Sequence, residues 1–203
     1  MDKITVALAG NPNAGKTTIF NAITGARQHV GNYPGVTVEK KEGARRHGGV
    51  TLNVVDLPGT YSLTAYTEEE VVARNVLIEE GPDVVVDIVD ASTLERNLYL
   101  ATQLVELDVP LVLAFNMTDV AKTRGIHIDI AMLSELLGVP IVPTVGHRGE
   151  GIDALLDTCI EVARDRDRYV SEHRHVYYGH ELEPHFERMT GLIVDRCPNL
   201  GRP

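Results

Sequence analysis

The segment of this chain with the clearest chemical potential lies near the N-terminus. Residues 10–17 read GNPNAGKT and match the pattern GxxxxGK(S/T) in full. They follow an apolar run, residues 4–9, and precede residues typical of a helix start. In a strand–loop–helix of this kind, backbone N–H groups and the helix N-terminus converge on nucleotide phosphates. We expect Lys16 to place a positive charge near the β and γ phosphates and Thr17 to ligate Mg²⁺.

A DxxG motif, residues 56–59, follows a second apolar run at residues 51–55. Asp56 at a strand end can hold Mg²⁺ through a water molecule, and Gly59 allows its N–H to approach a γ-phosphate closely. DxxG alone is common in turns. Here it lies downstream of residues 10–17, the predicted phosphate loop. It also lies at the C-terminal end of a predicted strand, where ligands gather in open α/β sheets.

An NxxD motif, residues 116–119, follows a third apolar run at residues 110–115. Asp119 can accept the N1–H and the 2-amino N–H of guanine, a pair of donors that adenine lacks. Asn116 is expected to brace the loop and to contact the purine edge. An isolated NxxD can equally be an Asx turn. Three motifs in this order, each at a strand end, favour GTP over ATP.

The chain resembles a translation-factor-type G domain. Within that class it is most similar to the cytoplasmic G domain of the ferrous-iron transporter FeoB. The resemblance spans residues 3–165 and rests on residues 10–18, 30–43 and 56–63. It implies a regulatory domain at the cytoplasmic face of the cell membrane that binds and hydrolyses GTP to GDP, uses Mg²⁺ and K⁺, and continues into a transmembrane iron-permease region of the same polypeptide.

The motifs and the resemblance together imply a set of nucleotide-binding residues. They are Gly10, Asn11, Pro12, Asn13, Ala14, Gly15, Lys16, Thr17 and Thr18; Gly35, Val36 and Thr37; Asp56 and Gly59; Asn116, Met117 and Asp119; and Val145, Gly146 and His147. The implied Mg²⁺ ligands are Thr17, Thr37 and Asp56, and the implied catalytic group comprises Asn13, Lys16, Thr37 and Gly59.

Two loops are expected to change with the nucleotide. Residues 26–38, the first switch, show no regular period and are expected to order when a γ-phosphate is present. Thr37 in this loop is expected to reach Mg²⁺ and the γ-phosphate; alternatively it is an ordinary first residue of an edge strand. Residues 59–70 form the second switch, with Gly59 as its hinge.

Catalysis is the least clearly encoded property. Ras-like proteins carry a water-orienting Gln after the DxxG glycine, whereas this chain has Thr60. We therefore expect slow intrinsic hydrolysis. The resemblance implies that Asn13 helps to hold a K⁺ ion that neutralises developing charge; alternatively Asn13 is only a turn residue. Residues 144–148 replace the Ser-Ala pair of many relatives, and Gly146 and His147 are expected to offer N–H groups to guanine O6.

Composition narrows the class of protein. The 203 residues include 43% hydrophobic residues and carry a net charge of −10, which argues against a nucleic-acid partner. Neither a signal peptide nor an apolar run of bilayer-spanning length is expected. Cys159 and Cys197 have no metal-site spacing, and the histidines at 173, 175, 180 and 185 favour a solvated surface. The sequence is compatible with a homo-oligomer.

We predict an α/β P-loop GTPase fold with a six-stranded, mostly parallel sheet, one antiparallel edge strand and helices on both faces. Strands are predicted at residues 3–9, 36–46, 50–56, 83–89, 110–116 and 140–144, and helices at residues 16–25, 67–80, 94–107, 128–137 and 151–167. Residues 1–167 form the predicted G domain. The resemblance implies that residues 168–203, with a predicted helix at 181–196, begin a helical domain, which is expected to be cut short here.

Some points stay open at the level of sequence. Thr93 and Asp129 are expected to cap helix N-termini and Gly138 a C-terminus. Asp87, a charge within an apolar strand, is interpreted as lying near the sheet edge or pairing with a neighbour. Two other functions fit the same motifs: a soluble K⁺-stimulated GTPase of ribosome or tRNA maturation, and a GTP-dependent binding switch with negligible turnover.

Overall fold

A seven-stranded sheet organises the computed structural model, which describes residues 3–25, 28–171 and 178–196. Its strands are β1 (Lys3–Gly10), β2 (Gln28–Asn32), β3 (Glu39–His47), β4 (Val50–Asp56), β5 (Val84–Asp90), β6 (Leu111–Asn116) and β7 (Ile141–Pro143). They are arranged in the order β2-β3-β4-β1-β5-β6-β7. Strands β4, β1, β5, β6 and β7 run parallel, whereas β2 and β3 pair antiparallel.

Helices connect the parallel strands and cover both faces of the sheet. They are α1 (Lys16–Thr24), α2 (Glu68–Asn75), α3 (Leu94–Glu106), α4 (Thr118–Thr123), α5 (Ile130–Leu137), α6 (Ile152–Arg164), α7 (Arg166–Ser171) and α8 (Glu183–Arg196). A π-helical turn, Val76–Glu80, continues α2, and 3₁₀ turns occupy Ala91–Thr93 and Gly146–Arg148.

The core forms two apolar layers, one on each face of the sheet. One layer joins the strands to α1 and α6, and the other joins them to α2 and α3. The central strands β5 and β6 are buried on both faces, which explains their nearly continuous apolar sequences. The C-terminal end of β6 carries the predicted NxxD motif.

The predicted P-loop GTPase fold is confirmed, but the predicted count of six strands is wrong. The seventh strand is β2, which lies in the segment that was predicted as an irregular loop, and it pairs with β3. All five residues of β2 are exposed. The sequence of β2 shows no alternation of apolar and polar residues, because the strand is held by backbone pairing with β3 and buries neither face. The predicted β3–β4 hairpin is confirmed, with Gly48 and Gly49 at φ 54° and 80°.

The predicted helix caps are confirmed at two of three positions. The Asp129 side chain accepts from the Met132 N–H at 3.0 Å, and Gly138 ends α5 in the left-handed conformation at φ 68°. Thr93 does precede α3, but its side chain makes no capping bond. Its hydroxyl instead donates to Asp90 Oδ2 at 2.9 Å.

The C-terminal part of the described chain is helical, as expected, although the predicted domain boundary stays a prediction. His173, His175 and Cys197 lie outside the described residues, and Cys159 is buried on α6. Within the described ranges, no helix has both the length and the apolar character needed to cross a bilayer. Over the same ranges, no group of three or more His, Cys, Asp or Glu side chains forms a metal site.

Asp87 lies in the interior of the sheet, so its interpretation as a residue near the sheet edge is wrong. Its neighbours are Ala9 on β1 and Leu113 on β6. The side chain is 1% exposed, and within the part of the chain that the structure describes its Oδ2 has no hydrogen-bond partner. Burial raises the pKa of Asp87 from 3.8 to about 7, because a charged carboxylate is poorly solvated there.

We expect Asp87→Asn to change the pH dependence of stability. Because the pKa of Asp87 is raised in the folded state, the carboxyl does not lower the free energy of unfolding below about pH 4. Above that pH it lowers the free energy of unfolding progressively, until the pH passes about 7. The advantage of the variant in unfolding free energy should therefore increase by about 2–3 kcal/mol between pH 5 and pH 8. Urea unfolding at the two pH values measures it. The same change at the exposed Asp195 is the control, and equal pH dependence in both variants would contradict this account.

Candidate nucleotide-binding site

The three predicted motifs meet at one edge of the sheet. Strands β1, β4 and β6 run parallel and end at Gly10, Asp56 and Asn116. Backbone bonds join the first two motifs directly: the Leu57 N–H donates to Leu8 O at 3.0 Å, and the Thr60 N–H donates to Gly10 O at 3.3 Å. The sheet register thus fixes the DxxG motif beside the phosphate loop.

The phosphate loop has the backbone conformation of an anion-binding turn. Asn13 and Gly15 have φ values of 68° and 91°, and α1 begins immediately afterwards at Lys16. A side chain at position 15 would collide with the Asn116 amide, so glycine is required there. A cavity of about 460 Å³ opens over the loop. It is lined by Asn11, Pro12, Asn13, Gly15, Lys16, Thr17, Thr18, Gly59 and Met117.

Lys16, which lines this cavity, forms an ion pair with the buried Asp56. Lys16 Nζ lies 2.5 Å from Asp56 Oδ1, and the side chains are 12% and 7% exposed. Burial raises the pKa of Asp56, and the Lys16 charge opposes that rise. The arrangement places a cation and a carboxylate side by side, which are the two groups that a phosphate–Mg²⁺ complex requires.

The structure does not bring Thr37 into this group. Thr37 is exposed and lies outside the lining of the cavity. Its loop is held instead by Tyr33, whose N–H donates to Val38 O at 2.9 Å and whose hydroxyl donates to Asp56 O at 3.3 Å. Burial also raises the pKa of Tyr33. Gly35, at φ 78°, makes the turn.

Asn116 braces two loops with one buried side chain. Its Nδ2 donates to Ala14 O at 3.0 Å, and its Oδ1 accepts from the Gly146 N–H at 2.9 Å. The residue is 3% exposed. The predicted bracing role of Asn116 is therefore visible in the structure. The N–H of Gly146, which was expected to reach guanine O6, donates to Asn116 instead. Val145 is buried beside it, and His147 is exposed.

Asp119 has a carboxylate oxygen available for a ligand. Its Oδ1 is buried and has no hydrogen-bond partner among the described residues. Its Oδ2 lies 3.8 Å from both His147 Nε2 and Arg148 Nη2. An ionised acceptor of this kind suits a donor pair such as N1–H and the 2-amino group of guanine.

The second switch contains a network that sequence reasoning missed. The Ser62 hydroxyl and the Tyr66 N–H donate to the Glu70 carboxylate at 2.8 and 2.9 Å, and these bonds lower the pKa of Glu70. Thr67 and Glu70 also form a capping box at the start of α2. The signal was available, because TEEE at residues 67–70 fits the T-x-x-E pattern.

Comparison with known proteins places this site in a family. The family model FeoB_N, described as ferrous iron transport protein B, matches residues 4–159. The chain belongs to the FeoB_N family. It is 50% identical over 191 residues to a fusion of Fe(2+) transport protein A with the Fe(2+) transporter FeoB from Porphyromonas gingivalis, which covers 94% of this chain and 22% of the relative.

Other FeoB proteins agree with this assignment. The Fe(2+) transporter FeoB of Salmonella typhimurium is 46% identical over 202 residues, which is 98% of this chain and 26% of that protein. The cytosolic domain of T. maritima FeoB in apo form superimposes with a TM-score of 0.89 at 39% identity, over 96% of this chain and 75% of that one. The Methanococcus jannaschii FeoB G-domain superimposes with a TM-score of 0.74 at 47% identity, over 81% of this chain and 100% of that one. The chain spans about a quarter of the length of the curated relatives.

We expect Asn116→Ala to destabilise the chain even without nucleotide. The substitution removes two buried hydrogen bonds and leaves Ala14 O and Gly146 N–H without this partner. The unfolding free energy should fall by about 2–3 kcal/mol. Urea denaturation measures it, with Asn21→Ala, which removes an exposed contact with Gln28, as the control. Equal stability of the two variants would show that Asn116 is no brace.

Proposed function

We propose that this chain binds GTP at the sheet edge and hydrolyses it to GDP. The observation that carries the proposal is the Asp119 Oδ1 atom, which is buried on the same edge as the phosphate loop without a hydrogen-bond partner among the described residues. A buried acceptor is normally paired, and guanine supplies the matching donors. The FeoB_N membership supports the same conclusion.

The residues around the cavity would divide the work on the phosphates. Lys16 would turn from Asp56 to the β and γ phosphates, and the loop amides would bind their oxygens. The Thr17 hydroxyl and the Asp56 carboxylate are hard oxygen donors that suit Mg²⁺, which would neutralise phosphate charge when bound. Gly59 borders the same cavity, so its N–H could meet a γ-phosphate.

The first switch would have to rearrange for Thr37 to take part. Thr37 is exposed, and the loop around it is anchored through Tyr33 and Asp56 O. Movement of this loop on GTP binding would bring the Thr37 hydroxyl to the metal and its N–H to the γ-phosphate. Such a movement would give the chain distinct GTP and GDP conformations.

Hydrolysis would be slow without help. Thr60 occupies the position of a water-orienting Gln, but it is 5% exposed and its N–H is bound to Gly10 O. K⁺ held by the Asn13 amide oxygen would supply positive charge for the transition state. The φ of 68° at Asn13 also suits an asparagine in a turn, so the experiment must separate the two roles.

We infer that the nucleotide state controls Fe(II) transport by the rest of a longer polypeptide. The curated relatives are transporters about four times longer than the matched region, and the T. maritima neighbour is a cytosolic domain. The chain would then work at the cytoplasmic face of the cell membrane. The FeoB_N membership disfavours a GTPase of ribosome or tRNA maturation. Single-turnover hydrolysis by the isolated chain would exclude a switch without turnover.

Guanine recognition is tested by Asp119→Asn. The amide loses one acceptor for guanine but can donate to the 2-oxo group of xanthine. We expect GTP affinity to fall about 100-fold or more and XTP affinity to rise above that of the unaltered chain. Equilibrium competition with a fluorescent nucleotide measures both. Asp195→Asn is the matched control, and an unchanged preference for GTP in Asp119→Asn would refute this recognition.

The K⁺ role is tested by Asn13→Gly. Glycine adopts the positive φ of this position without strain but lacks the amide oxygen, so the variant separates ligation from turn geometry. We expect the unaltered chain to hydrolyse GTP about tenfold or more faster in K⁺ than in Na⁺, and the variant to be equally slow in both.

Single-turnover phosphate release measures this effect, with GDP affinity as the check that the loop still binds nucleotide. Asn21→Ala is the matched control and should keep the ion preference of the unaltered chain. A K⁺ preference that survives in Asn13→Gly would assign Asn13 to the turn alone.

A further inference from the structure

Helix α3 contacts the second switch at two points on one face. The guanidinium carbon of Arg96 lies 4.4 Å from the centroid of the Tyr61 ring. The Gln103 Oε1 atom accepts from the Leu63 N–H at 2.8 Å. Because residues seven apart share a helix face, Arg96 and Gln103 hold the switch along a single stripe.

The same arginine also contacts the phosphate loop, through its backbone. Asn11 Nδ2 donates to Arg96 O at 3.3 Å, and Asn11 is 4% exposed. Gly10, next to Asn11, accepts the Thr60 N–H. Arg96 therefore stands where the phosphate loop and the second switch meet.

The side chain of Arg96 has a separate task from its backbone. Tyr61 is 43% exposed, so burial alone does not fix its ring, whereas Leu63 is 9% exposed and is held by the core. The stack on Arg96 therefore restrains this exposed ring, in addition to the bonds that the neighbouring Thr60 and Ser62 make to Gly10 O and Glu70. A cation over an aromatic ring at such a site stabilises by about 0.5–1 kcal/mol.

We propose that Arg96 is a positioning residue for hydrolysis: its guanidinium, stacked on Tyr61, holds residues 59–61 against the phosphate loop. The proposal rests on the proposed GTPase function. A loop held in place before reaction loses less entropy at the transition state. Arg96 contributes to the placement of Gly59 and Thr60, whereas the base and the β-phosphate are bound by other elements. Its side chain should therefore affect the rate of hydrolysis and leave nucleotide affinity unchanged.

The first test is single-turnover hydrolysis of GTP by Arg96→Ala. The rate constant should fall about two- to fivefold, with the dissociation constants of GDP and GTP unchanged. Tyr61→Leu should have a similar effect, and the double variant should be no slower than either single one. Arg96→Lys should recover part of the rate, because an ammonium keeps the charge but not the planar stack.

Arg45→Ala, which removes an exposed arginine of β3, is the matched control and should keep the full rate. Alanine at position 96 leaves the bond from Asn11 in place, because the acceptor is a backbone oxygen. An unchanged rate in Arg96→Ala, or additive effects of the two single substitutions, would overturn the proposal.

Hydrogen exchange of residues 59–66 without nucleotide gives a readout that does not depend on activity. We expect faster exchange in Arg96→Ala than in the unaltered chain and in Arg45→Ala. Equal exchange would refute the positioning role whatever the chain hydrolyses. Lack of hydrolysis by the unaltered chain would instead refute the proposed function, so the two failures are distinguishable.

Discussion

The candidate site depends on one buried amide. Asn116 joins the phosphate loop at Ala14 to the loop at Gly146 through a donor and an acceptor on the same side chain. Both bonds lie at the end of β6, a strand buried on both faces. Because β6 cannot shift without disturbing the core, the amide ties both the phosphate loop and the 3₁₀ turn at Gly146–Arg148 to the sheet.

The candidate residues differ in how they are attached to the sheet. The phosphate loop and the NxxD motif follow the central strands β1 and β6. The residues proposed to sense the γ-phosphate lie in loops beside the antiparallel edge and before α2. On the proposed function, the fixed part would hold the nucleotide while the two switch loops change conformation.

Sequence reasoning located the fixed part well, for a physical reason. The motifs at residues 10–17, 56–59 and 116–119 each follow an apolar strand, and parallel strands bring their C-terminal ends together. The position of Asp87 was missed because an apolar run predicts a strand but not its neighbours in the sheet. The role of Arg96 was equally hidden, since its contact with Tyr61 joins residues far apart in the chain and follows no local pattern.

Strand β2 has an energetic consequence for the first switch. All five of its residues are exposed, and among the described strands only β3 pairs with it, so its detachment would remove backbone bonds but uncover no apolar core. Local opening of such an edge costs less than global unfolding. Detachment would shorten the sheet from seven strands to six and would lengthen the unpaired segment that leads to Thr37.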